Sequence, residues 1–201
     1  MLAEPTTLSI LNETGAMHEG HYRLPDGTHT NLYFQMTQAH GGFNNWRRLC
    51  VGLSRVLRQA KELAPLLPDH VTMVSPSGGG LAVGFGVRDV LPVDQMVWAE
   101  RDADGKAFHF RQFASIQKGE KCLVVDDILL TGTTVTKLIK LIQDNGGTVA
   151  GIAVLVDART RPVDFGNVPF YSLVKIPRES FPDGKNCRFC AEGTPLVEAE
   201  F

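Results

Sequence analysis

A chain of 201 residues, 43% hydrophobic and 21% charged, carries enough apolar surface for one ordinary globular domain spanning 1–201. Its net charge of −2 and sequence pI near 6.3 give no general attraction for nucleic acid or an anionic membrane, so neither partner is expected. No apolar run approaches membrane-spanning length, and the opening Met-Leu-Ala-Glu-Pro has no basic region ahead of an apolar stretch, which predicts a cytoplasmic protein.

In chain order, residues 2–14 show helical spacing at Leu8 and Leu11, and Gly15 stops the pattern. Strands are predicted over 20–24 and 30–35, joined by the turn Pro25-Asp26-Gly27. A long helix follows over about 44–63, with Leu49, Leu53, Val56, Leu57 and Ala60 on one face. From there the chain repeats strand, loop, helix. A strand over 71–74 enters Ser75-Pro76-Ser77-Gly78-Gly79-Gly80 and then an apolar helix through Val90. A strand over 92–99 leads into a charged excursion over 100–113. Later strands are predicted over 149–156, ending at Asp157, and over 170–176, read as the last. Such alternation implies a parallel sheet covered on both faces, with its ligand outside the carboxyl ends of the strands. Segments starting at 75, 99, 126 and 157 all sit there.

The densest signal lies between, in residues 122–135. An apolar run, Leu123 to Val125, reads as a buried strand ending on two acids, Asp126 and Asp127. Ile128, Leu129 and Leu130 precede the turn Thr131-Gly132-Thr133-Thr134, and Val135, Leu138, Ile139 and Ile142 then recur at helical spacing up to Asp144. A strand feeding a helix through such a turn aims backbone N–H groups, hydroxyls and the positive end of a helix dipole at one point, which suits phosphate. The acids suit sugar hydroxyls or a hard cation such as Mg²⁺. A plain strand–turn–helix accounts for the apolar run and the glycine, but not for adjacent acids at a strand end, where unpaired charge is costly.

This run resembles the signature by which type I phosphoribosyltransferases bind 5-phosphoribosyl pyrophosphate (PRPP). The resemblance implies an α/β fold, a parallel sheet flanked by helices with a small N-terminal hood, residues 1–40 and the C-terminal tail forming that hood. It also implies that Asp126, Asp127, Ile128, Leu129, Leu130, Thr131, Gly132, Thr133 and Thr134 bind PRPP, the two acids directly or through Mg²⁺. Ser77, Gly78 and Gly79 match the pyrophosphate loop, and Arg101 and Lys106 match a catalytic loop, which with Asp126 and Asp127 makes four catalytic candidates. Without the resemblance, 100–113 reads as a solvated hairpin tip.

Gly20-His21-Tyr22 and Asn31 to Gln35 look like the hood of the orotate phosphoribosyltransferases, which places Tyr33 and Phe34 beside the base, with Arg159 as a third base-binding candidate. The expected reaction is transfer of phosphoribosyl from PRPP to orotate, giving orotidine 5′-monophosphate and pyrophosphate, by a homodimer using Mg²⁺. Leu130 stands where these enzymes usually carry Thr, Ala158 where they usually carry Arg, and Pro25 where some carry Lys. Two alternatives therefore stay open: transfer to a different base, and a PRPP-binding regulator without catalysis. Cys50 and Cys122 read as packing residues. Cys187 and Cys190 form half of a zinc site, with no second Cys or His pair at a matching spacing. They read as reduced thiols in a terminal turn, a metal shared between subunits being the alternative.

Overall fold

The computed structural model describes residues 2–67, 71–93, 95–111 and 114–199. Asp94, inside one predicted strand, and Phe113, at the end of the charged excursion, lie outside the described residues. The chain runs α1 (Glu4–Glu13), β1 (Met17–Arg23), β2 (His29–Phe34), α2 (Phe43–Gln59), β3 (Thr72–Pro76), α3 (Gly79–Arg88), β4 (Gln95–Arg101) and β5 (Phe108–Phe110). It continues as β6 (Lys121–Leu129), α4 (Thr133–Asp144), β7 (Thr148–Asp157), β8 (Phe170–Lys175), β9 (Ser180–Phe181), α5 (Arg188–Ala191) and β10 (Val197–Glu198).

Six strands form the main sheet in the order β5-β4-β3-β6-β7-β8, parallel throughout except for the hairpin strand β5. Alternation along the central strands divides the core in two. Leu123 and Val125 of β6 and Ala153 and Leu155 of β7 face a layer built on Leu49, Leu53 and Leu57 of α2 and Val83 and Val87 of α3. Val124, Ile152 and Val154 face the other way, onto Val135, Leu138 and Ile142 of α4. The helices thus bury their apolar stripes on both faces of one sheet.

A second sheet, β10-β1-β2-β9, forms the hood. It joins the N-terminal hairpin to the C-terminal tail through short pairings, Tyr22 and Arg23 with Val197 and Glu198, and His29 and Thr30 with Phe181 and Ser180.

Several sequence expectations are corrected. The long helix ends at Gln59 because Ala60 turns extended (ψ 116°), although Ala60 and Leu63 stay buried, so the apolar period outlasts the helix. β6 does not end at the acids: it continues to Leu129, with Asp126 opposite Val154 and Leu129 opposite Asp157. β8 is not the last strand, since β9 and β10 follow. Cys187 and Cys190 do meet a second pair, for His21 and His29 of the hood lie against their sulfurs.

Candidate active site

β3 pairs with β6 only as far as Val74 opposite Val124. Beyond that point β3 leaves through its glycine loop while β6 runs on, and past Val125 the gap between them gives the side chains of Asp126 and Asp127 a cavity to face. The cleft is a product of this divergence.

Two helix starts face it. Gly78 caps α3 with φ 98°, a value that L side chains rarely adopt, and the Ser77 N–H donates to the Ala99 carbonyl at 2.7 Å, holding the loop against β4. Gly132 caps α4 with φ 81°, where a Cβ would also come within 2.7 Å of Val163 Cγ1. Both helices present free N–H groups and partial positive charge to the same space. The cavity of about 270 Å³ is lined by Ser77, Gly79, Arg101, the two acids and the run from Ile128 to Thr134. Thr131 and Thr133 share a hydroxyl–hydroxyl hydrogen bond of 3.0 Å at its mouth.

Asp126 is buried and Asp127 is half-buried beside it. The Asp127 N–H donates to Asp126 Oδ1 (2.9 Å) and the Ile128 N–H to Asp127 Oδ1 (2.7 Å), so the backbone aims both carboxylates. Burial, and next the charge of Asp127, push the Asp126 carboxyl well above the ordinary range. Burial also raises Asp127, against the hydrogen bond from Ile128. Among the described residues neither acid forms an ion pair. An acid pair without an ion-pair partner within reach fits a hard cation or the hydroxyls of a sugar, and this donor set suits Mg²⁺. The glycine loop leaves no room for a side chain here: a Cβ on Gly79 would lie 1.8 Å from Asp127 Oδ2, and one on Gly80 2.6 Å from Asp126 Oδ1.

Arg101 reaches the cleft from the end of β4. Its Nη2 donates to Thr134 Oγ1 at 3.2 Å and its guanidinium lies 4.8 Å from the centre of the Phe108 ring. Lys106 lies at the hairpin tip, exposed, with Nζ 3.5 Å from Asp104, and does not line the cavity. The tip leans on α4, where Lys137 Nζ donates to the Gly105 carbonyl at 3.2 Å.

The base-side candidates stand apart from the acids. Tyr33 is buried against His18 and Tyr22, with ring centres 5.9 and 5.5 Å away, and Phe34 packs on the main core. Arg159 folds back onto Asp157, with Nε and Nη2 each 2.8 Å from a carboxylate oxygen, and lies 4.4 Å over the Phe170 ring. Burial pulls the Asp157 carboxyl up, but the hydrogen bonds and charge of Arg159 outweigh it and hold it low.

Two residues escaped the sequence reading. Arg161 lines an adjoining cavity of about 500 Å³ that shares Leu130 and Thr131 with the cleft. His40 is electrostatically coupled to Asp127, and burial lowers its pKa; its Nε2 is buried without a hydrogen-bond partner among the described residues. Neither carries a local motif, so only the fold reveals them.

A family profile described as a phosphoribosyl transferase domain matches residues 70–177. The orotate phosphoribosyltransferase of Desulforamulus reducens is 35% identical over 192 residues, covering 95% of this chain and 93% of that protein. That of Carboxydothermus hydrogenoformans is 34% identical over 186 residues, covering 92% of each. The crystal structure of orotate phosphoribosyltransferase from Aeropyrum pernix superimposes with a TM-score of 0.65 at 24% identity, over 84% of this chain and 92% of that one, a likeness of fold.

Proposed function

The chain belongs to the phosphoribosyltransferase family, among its orotate phosphoribosyltransferases, and on that premise we propose that it transfers phosphoribosyl from PRPP to orotate. The products are orotidine 5′-monophosphate and pyrophosphate, and the step serves pyrimidine nucleotide synthesis. The observation that carries this reading is the pair of adjacent acids, without an ion-pair partner among the described residues, set between two glycine-capped helix starts in one cleft.

In this reading the turn from Thr131 to Thr134 holds the 5-phosphate, and Ser77 to Gly79 hold the pyrophosphate. Asp126 and Asp127 hold the ribose hydroxyls, directly or through Mg²⁺; the ion, when bound, offsets the charge of the pyrophosphate. The C1–oxygen bond to pyrophosphate breaks as an orotate ring nitrogen bonds to C1; the electron pair leaves with pyrophosphate, and the proton lost from that ring nitrogen passes to pyrophosphate or to solvent. No protein nucleophile is needed, so positioning and charge stabilisation supply the acceleration. Arg101 stabilises the leaving group from its place beside Thr134, and Lys106 joins it when the hairpin tip closes. A cytoplasmic homodimer completes the proposal. The homodimer is supported by family resemblance, and the location by that resemblance and by the absence, among the described residues, of a helix long and apolar enough to cross a membrane.

The direct test measures pyrophosphate release from PRPP and Mg²⁺ with orotate, uracil and purine bases in turn. Orotate is expected to be the preferred acceptor; efficient turnover with another base and none with orotate would overturn the assignment. Tyr33, Phe34 and Arg159 are proposed to form the base side, with Arg161 contributing the readier cation because Arg159 is held by Asp157 and Phe170. Arg161→Ala is accordingly expected to raise KM for orotate more than Arg159→Ala does. Equal or reversed effects would return the carboxylate contact to Arg159.

Gly79→Ala supplies a second check on the pyrophosphate loop. The added methyl collides with Asp127, so a folded variant is expected to bind PRPP at least tenfold more weakly by calorimetry, the scale of losing one charge-assisted contact. Unchanged affinity would show that the loop yields without cost.

A further inference from the structure

The C-terminal tail lacks a core of its own. Within 177–199 the only buried apolar side chain is that of Cys187. The helix there has four residues, the strands two each, and the bidentate pair of Arg188 with Glu179 is exposed. Exposed ion pairs and such short pairings contribute little. Yet the tail closes the hood on both edges, beside β1 and beside β2.

What converges where the tail meets the hood is a set of four soft ligands. His21 Nε2 lies 3.4 Å from Cys187 Sγ, 3.7 Å from Cys190 Sγ and 3.0 Å from His29 Nδ1; Cys190 Sγ lies 3.3 Å from His29 Nδ1. All four ligand atoms fall within 4.8 Å of one another. Bond lengths of about 2.0–2.1 Å to nitrogen and about 2.3 Å to sulfur give a tetrahedron with edges of roughly 3.3–3.8 Å, and these four spacings match to within a few tenths of an ångström, while every pair stays within 4.8 Å. The ring of His21 is also set for the task. Its Nδ1–H donates to the Thr194 carbonyl at 3.0 Å, which leaves the Nε2 lone pair facing the sulfurs. His21 and Cys187 are almost fully buried, and His29 is close to it. Without a metal, the two thiols at this junction offer only weak hydrogen bonds, and the tail rests on short strand pairings and a few polar contacts such as the Glu179 N–H to Asn31 Oδ1.

We propose that His21, His29, Cys187 and Cys190 bind one structural Zn²⁺ that staples the C-terminal tail to the hood. Two imidazoles and two thiolates in tetrahedral array select zinc over Mg²⁺, which takes oxygen ligands. Binding releases the two thiol protons, and the thiolates neutralise the ion, so the buried site carries no net charge. All four positions are filled by protein, which makes the site structural, separate from the acid pair and independent of which base is used.

The test is metal analysis of the full chain, purified under reducing conditions without chelator. About one zinc per chain is expected, and substantially none in the Cys187→Ser/Cys190→Ser double variant. Cys190→Ser, at an exposed position, guards against misfolding and is expected to lose most of the zinc while keeping the native circular dichroism spectrum. Cobalt substitution of the wild type is expected to give the visible bands of tetrahedral Co²⁺ with thiolate charge transfer. Zinc removal is expected to lower Tm, and Zn²⁺ but not Mg²⁺ to restore it. Metal-free wild type with unchanged Tm and no cobalt bands, or zinc retained in the double variant, would overturn the site. These readouts need no turnover, so they fail or succeed apart from the proposed reaction.

Discussion

Asp126→Asn combined with Asp127→Asn is expected to abolish phosphoribosyl transfer while making the ligand-free protein more stable at neutral pH. Residues that serve the fold rarely behave this way; residues that serve a ligand at the fold's expense do. Both carboxyls are raised by burial, so the native state binds their protons more tightly than the unfolded chain does. A raised acid contributes stability that is complete below its unfolded pKa and is lost as pH rises toward its folded one. As pH rises from the acid range toward neutrality the wild type loses that stability and the double Asn variant does not. The gap in Tm is therefore expected to widen as the pH rises and to shrink as it falls through the acid range. PRPP with Mg²⁺ is expected to stabilise the wild type and not the variant, because only the former binds it tightly. Calorimetric melting across pH and PRPP titration check both halves. Unchanged PRPP affinity in the folded variant, or a variant less stable than wild type at neutral pH, would remove the acids from the site.

Arg101→Ala and Lys106→Ala are each expected to lower kcat on the order of 10²-fold while weakening PRPP binding far less, by analogy with the loss of one oxyanion donor. Charge accumulates on pyrophosphate only as the bond to C1 breaks, so a cation that meets it then acts on the transition state. The two positions differ in their resting state. Arg101 is already bonded to Thr134 at the cavity wall, whereas Lys106 waits at an exposed tip. Solvent viscosity is therefore expected to slow the Arg101→Ala variant less than wild type, chemistry having replaced loop motion as the slow step. Steady-state and single-turnover rates measure this. Wild-type kcat in both variants would leave the hairpin as a solvated tip.

Much of this protein was written locally. The apolar run into Asp126 and Asp127, the Thr-Gly-Thr-Thr turn and the start of the following helix stand within 14 consecutive residues, 122–135, and each is set by contacts only a few positions apart. The same holds for the Ser-Pro-Ser-Gly-Gly-Gly loop and for the alternation of strands and helices that predicts the parallel sheet. Even so, the depth of the cleft was not in the sequence, because it depends on where β3 parts from β6. The end of α2 and the two-residue strands β9 and β10 escaped for a related reason: their backbone pairing is decided by docking, with too few residues to show a period.

Long-range chemistry was hidden altogether. Arg159 and Arg161 are near neighbours in sequence, and nothing local says that one folds back onto Asp157 while the other lines the cavity beside Leu130. Cys187 and Cys190 read alone as half a site because their partners, His21 and His29, lie more than 150 residues earlier. The sequence determined the two glycine-bearing loops at the helix starts and the acid pair, since backbone conformation and strand–turn–helix spacing are short-range. Only the tertiary structure decided which of the two arginines lines the cavity beside Leu130 and that the hood and tail meet at four metal-type ligands, since those groups are brought together by burial of the core and carry no mark of it in their own neighbourhoods.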